Sequence, residues 1–315
     1  MASTVEGYLA ELRTALAGAD PALVQDAMYD AEEYLRSSSA EAGGTPEAVA
    51  AAIDAYGSPE EVAEAYRQAE DTVAAALRRP KPAAGKSALG QSPFGKFFGV
   101  IVDPTAYAAM FYALLALVTG TIYFTVVVTG VSMTLGLLIL IIGIPIALLF
   151  IAIIRAISLA EGRIVEGLLG VRMPRRPRMA GVQGNLWERI KSWLSDYRTW
   201  TTMLYMLLQL PLGIIYFTLM VTGLSTSAAL IASPILQRAY HIPMFIDGNY
   251  GYYTHPAAYP LVMALGVLGL FLTLWLAKGI GIVHGMWAKA MLVGRFDAPT
   301  GLPAPTQTQN AQVHQ

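Results

Sequence analysis

Groups able to recognise a ligand are concentrated between residues 225 and 259, where Arg238, Tyr240, His241, Asp247, Tyr250, Tyr252, Tyr253 and His255 stand close together in sequence with Phe245, Asn249 and Tyr259. One base, one acid, two imidazoles and a set of phenols can carry charge, hydrogen-bond and stack. That combination suits a small ligand, a peptide or an envelope lipid. The same aromatics also fit an interfacial belt with Gly-Pro turns. His241 and His255 are fourteen positions apart with no third ligand in sight, so no metal site is expected. No nucleophile and no paired acid and base fall at one depth, so no catalytic residue and no cofactor are expected. Cysteine is absent, which removes disulfides and thiolate chemistry.

Two further charge sets could hold partners. Arg172, Arg175, Arg176 and Arg178, interleaved with Pro174 and Pro177, form a basic loop. It suits anionic lipid at about 1 kcal/mol per charge near a surface, or the acidic N-terminal region of the same or a neighbouring chain. In that region Glu32, Glu33, Glu60, Glu61 and Glu64 offer an acidic face for a protein partner, unless it is merely solvated. Residues 1–79 carry fifteen of the 22 acidic residues and a net charge of −10, while the remainder carries +9. The near-neutral total is an accident of addition.

The elements that position these groups are membrane helices. The chain is 55% hydrophobic and 14% charged, with mean hydropathy +0.49, too apolar for a soluble chain of 315 residues. A span needs roughly 20 apolar residues. Four fit, at about 106–128, 135–154, 203–221 and 260–277, with Thr129-Gly130-Val131-Ser132 expected as the first turn. Lys and Arg cluster before the first span, between the second and third, and after the fourth, which predicts cytoplasmic termini in a multi-pass inner-membrane protein. The acidic, polar start predicts no cleavable signal peptide.

The apolar half is written twice. Asp103, Tyr107, Tyr112, Gly120, Tyr123-Phe124-Thr125, Thr129-Gly130 and Ser132 return 93 positions later as Asp196, Trp200, Tyr205, Gly213, Tyr216-Phe217-Thr218, Thr222-Gly223 and Ser225. The ends match at an offset of 123, Arg155 with Lys278 and Glu161-Gly162 with His284-Gly285. Two copies of one hairpin unit in the same orientation follow, with 30 extra residues in the second, inside the outer segment. Each copy is expected to open on an interfacial helix, one with Phe94, Phe97 and Phe98, the other with Trp187 and Trp193. Arg155 and Lys278 should snorkel to phosphates. Glu161, Arg163 and Glu166 should continue their helix into the cytoplasm, with only Arg163 and Glu166 able to pair. Gly281 and Gly285, one turn apart, fit close helix contact. The bundle interior is expected to hold only Thr, Tyr, Gln209 and a few Gly and Pro positions as polar or irregular features.

Residues 1–79 read as four short helices. Asp20-Pro21, Thr45-Pro46-Glu47 and Ser58-Pro59-Glu60-Glu61 are helix starts, the last a capping box, and Gly43-Gly44 and Gly57 are stops. Val5, Tyr8, Leu9, Leu12 and Leu16 make one inward stripe, Leu23, Val24, Ala27, Ala31, Tyr34 and Leu35 a second, and Val62, Ala65, Tyr66, Ala69, Val73 and Leu77 a third. The strings YLAELRTAL, AMYDAEEYLRSSSAEAGGTPEAV and YGSPEEVAEAY resemble the HAAS-type helical signalling domain over most of residues 4–70. The resemblance implies a cytoplasmic interaction module, in a family often linked to PadR-type transcription regulators. Beyond it, DPTAY…FYALLAL…GTIYFT, its echo DYRTW…LYMLLQLPLGIIYFT, and GIPIALL resemble the bacterial membrane domain called "putative sensor" over about 98–294. No kinase core follows.

The expected architecture is all-α. An acidic helical domain (1–79) and a flexible linker (80–93) precede membrane repeat 1 (94–170). A basic loop (171–184) joins it to repeat 2 (185–294), whose outer insertion is 225–259, and a disordered tail (295–315) ends the chain. The expected role is a non-enzymatic membrane sensor that couples an outer or membrane stimulus to a cytoplasmic protein, plausibly a PadR-type regulator. It would contact the bilayer, contact no nucleic acid directly, and could form a homo-oligomer. A structural scaffold or accessory subunit is the alternative, and a small transporter ranks below it.

Overall fold

The computed structural model describes residues 4–77, 93–137, 143–176, 196–247 and 250–293. They fall into two compact units that divide at residue 73.

The first unit contains α1 (Val5–Ala15), α2 (Pro21–Glu41), α3 (Pro46–Tyr56) and α4 (Pro59–Leu77). The caps are those the residue types dictate. Thr4, Asp20 and Thr45 accept from the backbone N–H groups of Gly7, Ala22 and Ala48. Ser58 and Glu61 exchange both bonds of the capping box. Tyr8, Leu12, Leu16, Leu23, Val24, Ala27, Ala31 and Leu35 form the core, with Ala52 and Ala63. The phase of α4 differs from the stripe expected: Ala65 and Ala69 are exposed, while Ala63 is buried with Val62 and Tyr66 against it. Alanine buries too little area to set a phase. The polar ends of neighbouring side chains set it instead, Tyr66 donating to Asp30 Oδ2 at 2.8 Å and Arg67 to Ala15 O at 2.6 Å. Tyr34, expected inward, is 39% exposed and lies on Tyr56.

Burial of Tyr8, whose hydroxyl donates to Gly57 O at 2.9 Å, pushes its phenol up to about 12, and burial raises Tyr66 as well. An unfolded phenol titrates near about 10. Folding therefore favours the neutral form. That stability is complete below about pH 10 and is lost as pH rises through about 12. Residues 1–79 should lose helical circular dichroism across that alkaline window. Helicity unchanged throughout it would contradict the assignment.

The second unit contains α5 (Pro93–Phe98), α6 (Pro104–Leu137), α7 (Gly143–Leu169), α8 (Tyr197–Tyr240), a hairpin of β1 (Phe245–Asp247) with β2 (Tyr250–Tyr252), and α9 (Tyr259–Leu292). Four of these helices are long and apolar enough to cross a membrane. Their outward faces, Phe111, Val118, Ile122, Ile215, Leu268 and Leu272 among them, are exposed large apolar groups, as lipid requires. Two boundaries differ from the sequence reading. α6 runs through Thr129-Gly130-Val131-Ser132 to Leu137, so these four residues are helix and not the first turn. α8 runs through Ser225 and Pro234 to Tyr240, so the first half of the expected outer loop is helix. In these spans Thr and Ser are not breakers. Their hydroxyls bond back within the helix, Thr121 to Leu117 O and Thr125 to Thr121 O.

The insertion is therefore mostly longer helices. α8 passes Leu230, the equivalent of Leu137, and α9 starts before Gly266, the equivalent of Gly143. His241 in the left-handed region (φ 53°) ends α8. At the other end α5 packs Phe97 and Phe98 on Phe271 of α9, with Phe97 O accepting from Trp275 Nε1 at 3.1 Å. It thus docks on a span, whereas the sequence suggested a helix lying free on the leaflet. Its counterpart around Trp187 and Trp193 lies outside the described residues.

The two copies cross at α6 and α8, where a Cβ on Gly120 would stand 2.6 Å from Gln209 O and one on Gly213 would meet the carbonyl of Ala116. Gln209 is the repeat equivalent of Ala116, so the contact is reciprocal, as a twofold-related pair demands.

Candidate functional site

Below that crossing lies a buried polar cluster to which both copies contribute. α7 brings Glu161, α9 His284, α6 Tyr112 and Tyr123, and α8 Tyr205, Gln209 and Tyr216. Glu161, His284, Tyr205 and Gln209 have no exposed surface, and Tyr112 has 1%. Tyr112 and Tyr205 donate to Glu161 Oε1 at 2.7 and 2.8 Å, and Tyr123 donates to Oε2 at 2.7 Å. Distances of 2.7–2.8 Å are those of well-formed hydroxyl–oxygen hydrogen bonds. His284 Nε2 lies 2.6 Å from Tyr112 Oη and 3.1 Å from Tyr205 Oη, while Nδ1 lies 3.3 Å from Tyr216 Oη. Gln209 Nε2 donates to Tyr112 Oη at 3.1 Å.

Tautomers follow by elimination. Both phenolic protons at Nε2 are committed to Glu161, so Nε2 carries hydrogen and donates, and Nδ1 accepts from Tyr216. Tyr112 is the hub: it accepts from Gln209 and His284 and donates to Glu161. One acceptor is left over, since Gln209 Oε1 is buried without a partner. Trp287 stacks on Tyr205 at 4.6 Å. The chain after α7 turns at Gly170 (φ 71°) and lays Val171 against Gly285 and Met173 against Gly162, with Met173 fully buried.

The pairing obeys the repeat. Glu161 and His284 are equivalent positions, as are Tyr112 with Tyr205 and Tyr123 with Tyr216. This corrects two expectations. Glu161 does not continue into solvent, and the interior holds a carboxylate and an imidazole beside the expected Tyr and Gln209. Glu161 lies two turns before the end of α7, roughly 12 Å at 1.5 Å per residue, where the sequence suggested a helix already in the cytoplasm. Nothing local in the sequence announces that tyrosines from α6 and α8 converge on it. The equivalence of Glu161 with His284, an acid opposite a base at the same depth, was the available signal.

Charges nearer the helix ends pair across the copies. Lys278 donates to Asp103 Oδ2 at 2.7 Å, and Asp196 is the charge neighbour of Arg155. Lys278 thus meets a carboxylate of the other repeat, where snorkelling to phosphate was expected. Glu166 pairs with Arg163 at 3.2 Å, as expected, and also with Arg172 at 3.3 Å and Arg175 at 3.4 Å. Those two arginines, which follow α7, are therefore partly engaged by its Glu166, Arg176 is exposed, and Arg178 lies outside the described residues. Gly281 approaches Ala109 of α6.

The outer candidates are dispersed. Arg238 and Tyr240 stand on the last turn of α8, His241 caps it, Asp247 and Tyr250 end and begin the paired strands, Tyr252 follows, and Tyr253 and His255 come after the hairpin. All eight are exposed. Among them the structure joins Tyr253, whose hydroxyl donates to His241 O at 2.8 Å, while His255 Nδ1 accepts from Ala257 N at 3.3 Å. Asn249 lies outside the described residues. In the first unit Glu33, Glu60, Glu61 and Glu64 are exposed, whereas Glu32 is held by Arg36 at 2.9 Å.

A family model described as "Putative sensor" matches residues 112–292, and one described as HAAS matches residues 7–65. No curated protein matches the chain, and no solved structure does.

Proposed function

The chain belongs to the family described as "Putative sensor", and from that premise we propose that it couples an outer or membrane stimulus to a protein partner held by its acidic N-terminal unit. One observation carries this reading: a HAAS match stands ahead of the sensor match in one chain with four span-length apolar helices. Both families are sensor and signalling domains, and HAAS domains mediate protein–protein interaction. The distribution of Lys and Arg supports an inner-membrane location with the first unit in the cytoplasm. The partner this favours is a transcription regulator of the PadR type. Exposed Glu33, Glu60 and Glu64 are the docking residues, with Glu61 also tied to its cap. The exposed aromatics, Arg238, His241, Asp247 and His255 form the sensing surface. Arg172, Arg175 and Arg176 are the candidate contacts for anionic lipid.

Full-length protein carrying Glu60→Lys and Glu64→Lys, which leave the cap intact, should retain a PadR-type regulator at least about tenfold less well than wild type, a loss of about 1.4 kcal/mol. Equal retention by both would remove the acidic face from the mechanism, and recovery of no regulator by wild type would favour a scaffold. Deletion of residues 238–259 should abolish the stimulus response while insertion proceeds. A fully responsive deletion would refute the sensing surface.

A further inference from the structure

Ionisable groups inside a membrane bundle are costly and are seldom retained without a task. Glu161 meets hydroxyls on both oxygens, yet among the described residues no cation pairs with it directly. The basic groups of the same helices are engaged elsewhere: Lys278 with Asp103, Arg155 beside Asp196, and Arg163, Arg172 and Arg175 with Glu166. Groups facing the carboxylate and imidazole are Tyr112 and Tyr123 from α6, Tyr205, Gln209 and Tyr216 from α8, and Trp287 from α9. Val171 and Met173 come from the chain after α7 and do not titrate. Were Glu161 ionised and His284 neutral, the cluster would carry one uncompensated negative charge in an apolar surround, which is unfavourable. It is also one donor short, because Gln209 Oε1 is buried beside the hub without a hydrogen.

We propose that Glu161, Tyr112 and His284 form a binding site for one proton, shared between the two membrane repeats. The ligand is the proton itself. Held on Glu161, it neutralises the carboxylate, and one tyrosine O–H loses its acceptor and must turn. Held on His284, it makes Nδ1 a donor, and Tyr216 must turn its own O–H away to accept. Tyr112 touches both groups, at 2.7 Å and 2.6 Å, so its hydroxyl can pass a proton from one to the other by giving up its own and taking another. No co-reactant is needed. Each repeat supplies one end of this relay, so occupancy changes the hydrogen bonds that hold the copies together. The site belongs to the membrane unit alone and stands whether or not the chain signals.

Infrared difference spectra of the full-length protein in lipid vesicles, taken between about pH 5 and about pH 8 where imidazole and nearby acids exchange charge, test it. Wild type should show a protonated-carboxyl band that titrates in this window and is missing in Glu161→Gln. His284→Gln and Tyr123→Phe should each move its midpoint by roughly tenfold or more in proton affinity, while Tyr107→Phe leaves it in place. A wild type with no titrating carboxyl band would mean a fixed, structural cluster and would overturn the proposal, as would a band that survives Glu161→Gln. Should Glu161→Gln fail to fold, an unmoved midpoint in both His284→Gln and Tyr123→Phe overturns it equally.

Discussion

Gly213→Val should destabilise the membrane unit by about 1–3 kcal/mol or more, the range in which overpacked contacts fall. A Cβ at this position meets the backbone carbonyl of Ala116, which cannot rotate aside as a flexible side chain would. Relief requires α6 and α8 to separate, and the tyrosines that reach Glu161 and His284 from both helices would move with them. Gly120→Val should act alike, since its Cβ meets Gln209 O at 2.6 Å. Gly279→Ala is the control, because a Cβ there meets nothing within 4 Å. It should stay within about 0.5 kcal/mol of wild type. Denaturant titration in detergent measures all three. A Gly213→Val protein as stable as Gly279→Ala would show that the crossing is looser than described.

Tyr112→Phe should be the costliest hydroxyl deletion in the chain. Without that oxygen Gln209 Nε2 loses its acceptor, His284 Nε2 keeps only the longer 3.1 Å contact to Tyr205, and Glu161 Oε1 keeps Tyr205 alone. A buried polar group left without its partner costs about 1–3 kcal/mol, and here one donor is stranded while two further bonds of the cluster are lost. Tyr123→Phe removes a single bond to Glu161 Oε2 and should cost less. Tyr107→Phe should cost least, since its hydroxyl reaches Ile101 O on an exposed face. The order Tyr112, Tyr123, Tyr107 in thermal stability is the expected result. Equal losses for Tyr112→Phe and Tyr107→Phe would deny the hub its role.

Much of the fold was readable because its causes are local. Caps at Thr4, Asp20, Thr45 and Ser58 depend on residues one to three positions away. Span-length apolar runs follow from bilayer thickness and helix rise. The ends of α6 and α8 were not readable in the same way. Thr129-Gly130 and Ser233-Pro234 carry turn chemistry in water, and membrane helices tolerate them because hydroxyls and neighbouring helices satisfy the backbone.

For the cluster the division is sharper. By itself the sequence determined that the membrane unit is a duplication and that Glu161 corresponds to His284, Tyr112 to Tyr205 and Tyr123 to Tyr216. It determined equivalence but not contact. Which equivalent residues meet depends on where α6 and α8 cross, and close backbone approach at Gly120 and Gly213 decides that over long range. Only then do hydroxyls from α6 and α8 converge on a carboxylate from α7 and an imidazole from α9. Burial of Glu161 likewise arises only in the assembled bundle, where Tyr112, Tyr123 and Tyr205 close on its carboxylate. A carboxylate two turns from a helix end reads as solvated until the tertiary structure removes the water.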